Sequence, residues 1–188
     1  RAPDFLATLD DGASFRLSDW LGKKHVVLYF YPRDFTPGCT REARSFRDGY
    51  QAIQAQDAVV IGVSTDTVES HRRFKEACQL PFPLAADTEK EVSRLYGVRR
   101  SFGLAPTRRV TYLIDKAGLV QGVFQHELAI RRHQDDVLAG LKRLNAQAYN
   151  PRSGQISPAE IGKVRDAGYD VYIWTVNDEA GMKQLIAA

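Results

Sequence analysis

The chain has 188 residues, 44% of them hydrophobic and 26% charged, which is enough for one domain with a sizeable core and a short extra piece. A net charge of +3 with only paired basic residues (Arg72-Arg73, Arg99-Arg100, Arg131-Arg132) reads as solvated faces and argues against a nucleic-acid footprint. No apolar run is long enough to span a bilayer, no signal peptide is visible, and two cysteines do not make a disulfide scaffold, so a reducing, cytoplasmic setting is expected. The chain begins at Arg1 and its one methionine is Met182, so a trimmed N-terminus is expected and a targeting segment stays open.

Residues 25–31 (HVVLYFY) form a continuous apolar run, which suits a strand buried on both faces. Residues 40–54 carry Ala43, Phe46, Tyr50 and Ile53 at helical spacing. A second buried strand follows at 58–64 (AVVIGVS), then an amphipathic helix at 68–78 anchored by Phe74 and stopped at Leu80-Pro81. A short helix over 89–96 ends at Gly97. Residues 109–115 and 119–124 flank the turn Lys116-Ala117-Gly118 as a hairpin, and 130–144 closes the domain as a helix with Val137, Leu138, Leu141 and Leu144 inward. This order predicts a thioredoxin-like α/β sandwich over residues 1–146. The composition then shifts: 147–156 reads as a linker, and 157–188 as an α-β-α fragment with no visible partners.

One thiol stands in a telling frame. If Thr36 is the N-cap, Pro37 takes the first helical position, where its missing N–H costs nothing, and Cys39 falls in the first turn. The Thr36 oxygen can then accept from the Cys39 N–H. The thiol lies over unpaired amides and the positive end of the helix dipole, where helix starts and nearby arginines pull cysteine pKa values below ~8.5. The bland alternative is a buried, inert cysteine in a helix that starts with proline.

The pattern Pro32-x-x-x-Thr36-x-x-Cys39 resembles the peroxiredoxin active site, and with SFRD at 45–48 it is similar to the peroxiredoxin Q branch, also called bacterioferritin comigratory protein. The likeness runs through APDF (2–5), GVSTD (62–66), LPFPL (80–84), YGV (96–98) and RVTYLIDKAG (109–118). It implies a thiol peroxidase acting on hydrogen peroxide or small alkyl hydroperoxides, with Cys39 as peroxidatic nucleophile passing through a sulfenic acid. By the same likeness Thr36 would hold the peroxide, Arg109 would hold the thiolate and the leaving oxygen, and Pro32 would shield the pocket. Glu42 faces back toward the helix start, placed to pair with Arg109 or to favour the dipole. The implied partners are a peroxide and a thioredoxin, glutaredoxin or small-thiol reductant, in a monomer or weak dimer, with no cofactor, nucleic acid or membrane. The rival class is a non-catalytic thioredoxin-like redox sensor or binding module, which predicts oxidation without turnover.

Many members of the branch carry a resolving cysteine five residues after the first; here that residue is Arg44. The other thiol, Cys78, is a possible resolving residue. It lies near the far end of its helix, roughly 15 Å down the axis, whereas a disulfide needs Cα atoms within ~7 Å. A one-cysteine cycle with an external thiol is therefore favoured over a Cys39–Cys78 disulfide. His25, His71, His126 and His133 are scattered without cysteine or carboxylate partners at ligand spacing, so no metal is expected and they read as surface or strand-end residues. No glycine-rich phosphate loop appears. Residues 155–178 (QISPAEIGKVRDAGYDVYIWTVND) are similar to a late part of glycerophosphodiester phosphodiesterases, which are TIM barrels. That family's catalytic histidines and metal-binding carboxylates are missing here, so no phosphodiesterase activity is expected.

Overall fold

The two apolar runs pair with each other at the centre of a seven-stranded sheet. The structure is a computed structural model that describes residues 1–100, 106–125 and 130–148. Its strands are β1 (Leu6–Leu9), β2 (Ser14–Arg16), β3 (His25–Phe30), β4 (Ala58–Ser64), β5 (Leu84–Ala86), β6 (Val110–Ile114) and β7 (Val120–Phe124). They lie in the order β2-β1-β5-β4-β3-β6-β7. β3 runs parallel to β4 from His25↔Ala58 to Phe30↔Val63, and antiparallel to β6 with Phe30 opposite Val110. The helices are α1 (Pro37–Asp48), α2 (Tyr50–Gln54), α3 (Val68–Cys78), α4 (Glu91–Leu95) and α5 (Ile130–Ala148).

Every residue of β3 is buried, because both faces of the strand are covered. Val26, Leu28 and Phe30 enter a core with Phe5, Phe15 and Tyr96. The alternate residues turn the other way, since side chains along a strand repeat with period two. There Tyr29 meets Phe46 of α1 with ring centroids 4.9 Å apart, and Tyr31 meets Phe74 of α3 at 6.1 Å. β3, α1, β4, α3 and β5 therefore form two successive crossovers, the core of the expected thioredoxin-like sandwich.

Three local expectations change. The helix starts at Pro37, where the Thr36 frame places it, but breaks at Gly49 into α1 and α2 instead of running unbroken to Gln54. The Gln134 side chain of α5 lies against Gly49 where a Cβ would sit, so a larger residue there would have to displace the glutamine amide. The helix expected over 89–96 is the shorter α4, whose Val92 and Ser93 amides donate to the Asp87 carboxylate at 3.0 and 2.8 Å. Gly97 ends it with φ +67°, as its sequence position indicates. The last helix continues past Leu144 to Ala148, so the first two residues of the expected linker are helical. β1, β2 and β5 were not foreseen; at three or four residues they are too short to show a two-residue period.

The chain divides into two compact units, Arg1–Leu141 and Lys142–Ala188. Of the second, residues 142–148 are described; the α-β-α fragment expected at 157–188 lies outside the described residues. Among the described residues no helix is long and apolar enough to cross a membrane.

Candidate active site

The site grows out of the sheet's central pairing. After Tyr31 the chain leaves β3 through a loop in which Phe35 takes φ +59°, and α1 starts at Pro37. Thr36 is the N-cap residue, with extended φ −73° and ψ 148°. The cap itself differs from expectation. The Thr36 hydroxyl donates to the Arg33 carbonyl at 3.1 Å, and its oxygen does not accept from the Cys39 amide. The hydroxyl closes the preceding turn instead. Pro32, half-buried, stands at the exit from the strand.

Cys39, Glu42, Ala43 and Phe46 form the buried stripe of α1. Cys39 is 1% exposed and Glu42 is fully buried. A buried carboxylate needs a partner. The antiparallel pairing of β3 with β6 supplies it: Arg109, just before β6, comes alongside the point where the chain leaves β3. Its Nη1 donates to Glu42 Oε2, and its Nη2 donates to Cys39 Sγ at 3.5 Å. Thr107 anchors the segment that carries it, donating to the Tyr31 carbonyl at 2.9 Å. Burial acts to lower the Arg109 pKa, but Glu42 and the Cys39 sulfur outweigh it and hold the pKa above the ordinary arginine value. The guanidinium is thus a fixed cation aimed at the sulfur, a preorganised donor where negative charge sits or develops. The structure brings together Cys39, Glu42 and Arg109, which are seventy positions apart in sequence at most.

Sequence reasoning missed what holds the loop. Asp34 is buried, and its carboxylate accepts from the Tyr31 hydroxyl at 2.8 Å and from Ser70 Oγ at 2.7 Å. His71 Nδ1 lies 2.9 Å from the same carboxylate, and its Nε2 lies 3.2 Å from the Ala85 carbonyl. The Asp34 amide in turn donates to Asp66 at 2.9 Å. The loop before Cys39 is therefore tied to α3 and to the segment after β4 through buried and partly buried polar groups. Two expectations about histidines are corrected here: His71 and His133 are core residues, 0% and 1% exposed, each beside a buried carboxylate. Spacing could not reveal this, because both partners come from distant elements. His25 does sit at a strand end, and His126 lies outside the described residues.

Cys78, the last residue of α3, is 2% exposed, and both cysteines are free thiols. Arg47 Nη1 donates to its carbonyl at 2.9 Å. Arg47 is eight residues beyond Cys39, about 12 Å further along α1 at ~1.5 Å per residue. Burial pushes the Cys78 thiol pKa up, against the pull of Arg44 and Arg47. Arg44, five residues after Cys39, acts on the thiol of Cys78.

A thioredoxin-like sheet that presents a first-turn thiol to a buried arginine-carboxylate pair defines a class of thiol peroxidases. Residues 1–123 match the AhpC/TSA family, and the chain belongs to it. Within that family it is a peroxiredoxin of the Q, or bacterioferritin comigratory protein, branch, a thiol-dependent peroxidase. It is 40% identical over 150 residues to peroxiredoxin Bcp of Bacillus subtilis, covering 77% of this chain and 94% of that protein. It is 41% identical over 143 residues to chloroplastic peroxiredoxin Q of Sedum lineare, covering 76% of each. The crystal structure of peroxidoxin BcpB from Mycobacterium tuberculosis superposes with a TM-score of 0.71 at 36% identity, covering 75% of this chain and 93% of that one.

Proposed function

We propose that Cys39 reduces hydrogen peroxide and small alkyl hydroperoxides in a one-cysteine cycle. The Cys39 thiolate attacks one peroxide oxygen; an S–O bond forms as the O–O bond breaks. Cys39 becomes a sulfenic acid, and the departing alkoxide or hydroxide takes a proton to leave as alcohol or water. An external thiol, from a thioredoxin, a glutaredoxin or a small molecule, then displaces water to form a mixed disulfide. A second thiol releases Cys39 and carries away the disulfide. Arg109 holds the thiolate and stabilises the leaving oxygen, Glu42 fixes Arg109, Thr36 binds the peroxide and Pro32 shields it from bulk water.

The observation that carries this reading is the single guanidinium that bonds both Cys39 Sγ and Glu42. The one-cysteine form is supported by Cys78 being the last residue of α3, a helix that, like α1, starts from the C-terminal edge of the parallel strands β3 and β4. Intact mass after one equivalent of hydrogen peroxide, with a dimedone trap, tests both points on the wild type and on Cys78→Ser. Dimedone on Cys39 in both proteins is the expected result. Loss of two mass units in the wild type, with labelling only in the variant, would replace it with a Cys39–Cys78 disulfide.

A further inference from the structure

Glu42 faces Arg109 with one carboxylate oxygen and His133 with the other. His133 Nε2, on α5, stands 3.9 Å from Glu42 Oε1, and its Nδ1 lies 3.1 Å from Thr111 Oγ1 on β6. The path runs from Thr111 through His133, Glu42 and Arg109 to the sulfur, and all five side chains are buried.

His133 occupies a position where the fold wants a hydrocarbon. On α5 it heads the row 133, 137, 141, and both Val137 and Leu141 are fully buried. A leucine there would continue the stripe without desolvating two ring nitrogens. A local rule broken inside a core commonly marks function. The bland reading is a core histidine satisfied by Thr111 alone. It gives no role to the 3.9 Å approach of Nε2 to the carboxylate that orients the catalytic arginine. A ring lone pair facing that carboxylate would be repelled, so Nε2 carries the proton and Nδ1 accepts from the Thr111 hydroxyl.

We propose that His133 is a positioning residue: its Nε2–H confines the Glu42 carboxylate, and through it the Arg109 guanidinium, on Cys39. Arg109 has two donors to aim and one carboxylate to aim them with. A Glu42 free to rotate toward α5 would let the guanidinium turn off the sulfur as charge develops. The proposal rests on the reading that Cys39 attacks the peroxide.

The test is the second-order rate of Cys39 sulfenylation by hydrogen peroxide in H133L and H133Q, each made in the wild-type and E42Q backgrounds. A donor that reaches the reacting atom only through two other side chains is worth less than a direct one, so H133L is expected to lose about tenfold. H133Q, whose amide N–H reaches toward Glu42, is expected to recover most of it. In the E42Q background the effect of H133L is expected to shrink to within about twofold, the signature of coupling through one carboxylate. An unchanged rate in H133L, or an equal loss in both backgrounds, would overturn the proposal and leave His133 as a core residue. If H133L does not fold, Thr111→Val carries the same test from the other nitrogen: a loss seen only when Glu42 is present supports it, and no loss overturns it. Absence of any Cys39 sulfenic acid in the wild type would instead overturn the underlying reading.

Discussion

Cys39 and Cys78 are nearly equal in burial, both are free, and both have arginines nearby, yet their surroundings oppose each other. Cys39 opens a helix, and a buried guanidinium donates to its sulfur. Cys78 closes a helix; Arg47 donates to its backbone carbonyl, while burial pushes the thiol pKa up. Burial alone does not separate a reactive thiol from an inert one. What separates them is the end of the helix each occupies and the buried Glu42 carboxylate that holds Arg109 beside the Cys39 sulfur.

The largest expected difference is in turnover. Cys39→Ser should drop peroxide consumption to the uncatalysed background, while Cys78→Ser should stay within about twofold of wild type when an external thiol is supplied. A steady-state peroxide assay decides it, and a dead Cys78→Ser enzyme would erase the distinction between the two thiols. The arginines should divide the same way. Arg109→Leu should slow Cys39 oxidation by about 10²–10³, the cost of one preorganised donor, whereas Arg47→Leu should change it by no more than about twofold. Stopped-flow oxidation of both variants measures the contrast.

A smaller effect is expected beneath the loop that carries Cys39. His71→Leu removes one partner of a buried carboxylate and should destabilise the fold by about 3 kcal/mol, read from denaturant midpoints. A loss under 1 kcal/mol would mean that Tyr31 and Ser70 suffice to hold Asp34.

The smallest expected effect concerns Cys78 itself. Its folded pKa is raised above the ordinary value of 9.0, so the neutral thiol is the form the fold prefers. Its contribution to stability is therefore complete below pH 9.0 and lost as pH rises through the folded pKa. In a Cys39→Ser background, the stability advantage of Cys78 over Cys78→Ala should shrink across that alkaline range and stay flat at neutral pH. Alkylation of Cys78 in the folded protein should likewise rise only in the alkaline range; fast alkylation at neutral pH would put the two thiols in one class.

Much of this arrangement is legible in the chain. The apolar runs that became β3 and β4 are long enough to declare themselves, and Thr36-Pro37-Gly38-Cys39 marks a helix start because φ preference and the missing proline donor act locally. Arg109 is reachable only through a resemblance, since nothing in the sequence around it distinguishes it from a solvated arginine beside Arg108, whereas Glu42 is singled out by its place one turn into the helix. β1, β2 and β5 were illegible because strands of three or four residues take their identity from the neighbours they pair with.

The amino-acid sequence by itself determined the sheet's centre, the helix that begins at Pro37 and the thiol in its first turn, because these depend on interactions within a few residues. Tertiary structure alone decided which charges are buried and paired. Asp34 meets His71 across 37 positions, and Glu42 meets Arg109 across 67. The Thr36 hydroxyl turns back to Arg33. A buried carboxylate must find its donor wherever the fold brings one, and that choice is made by strand pairing and helix packing, which leave no mark at any fixed spacing along the chain.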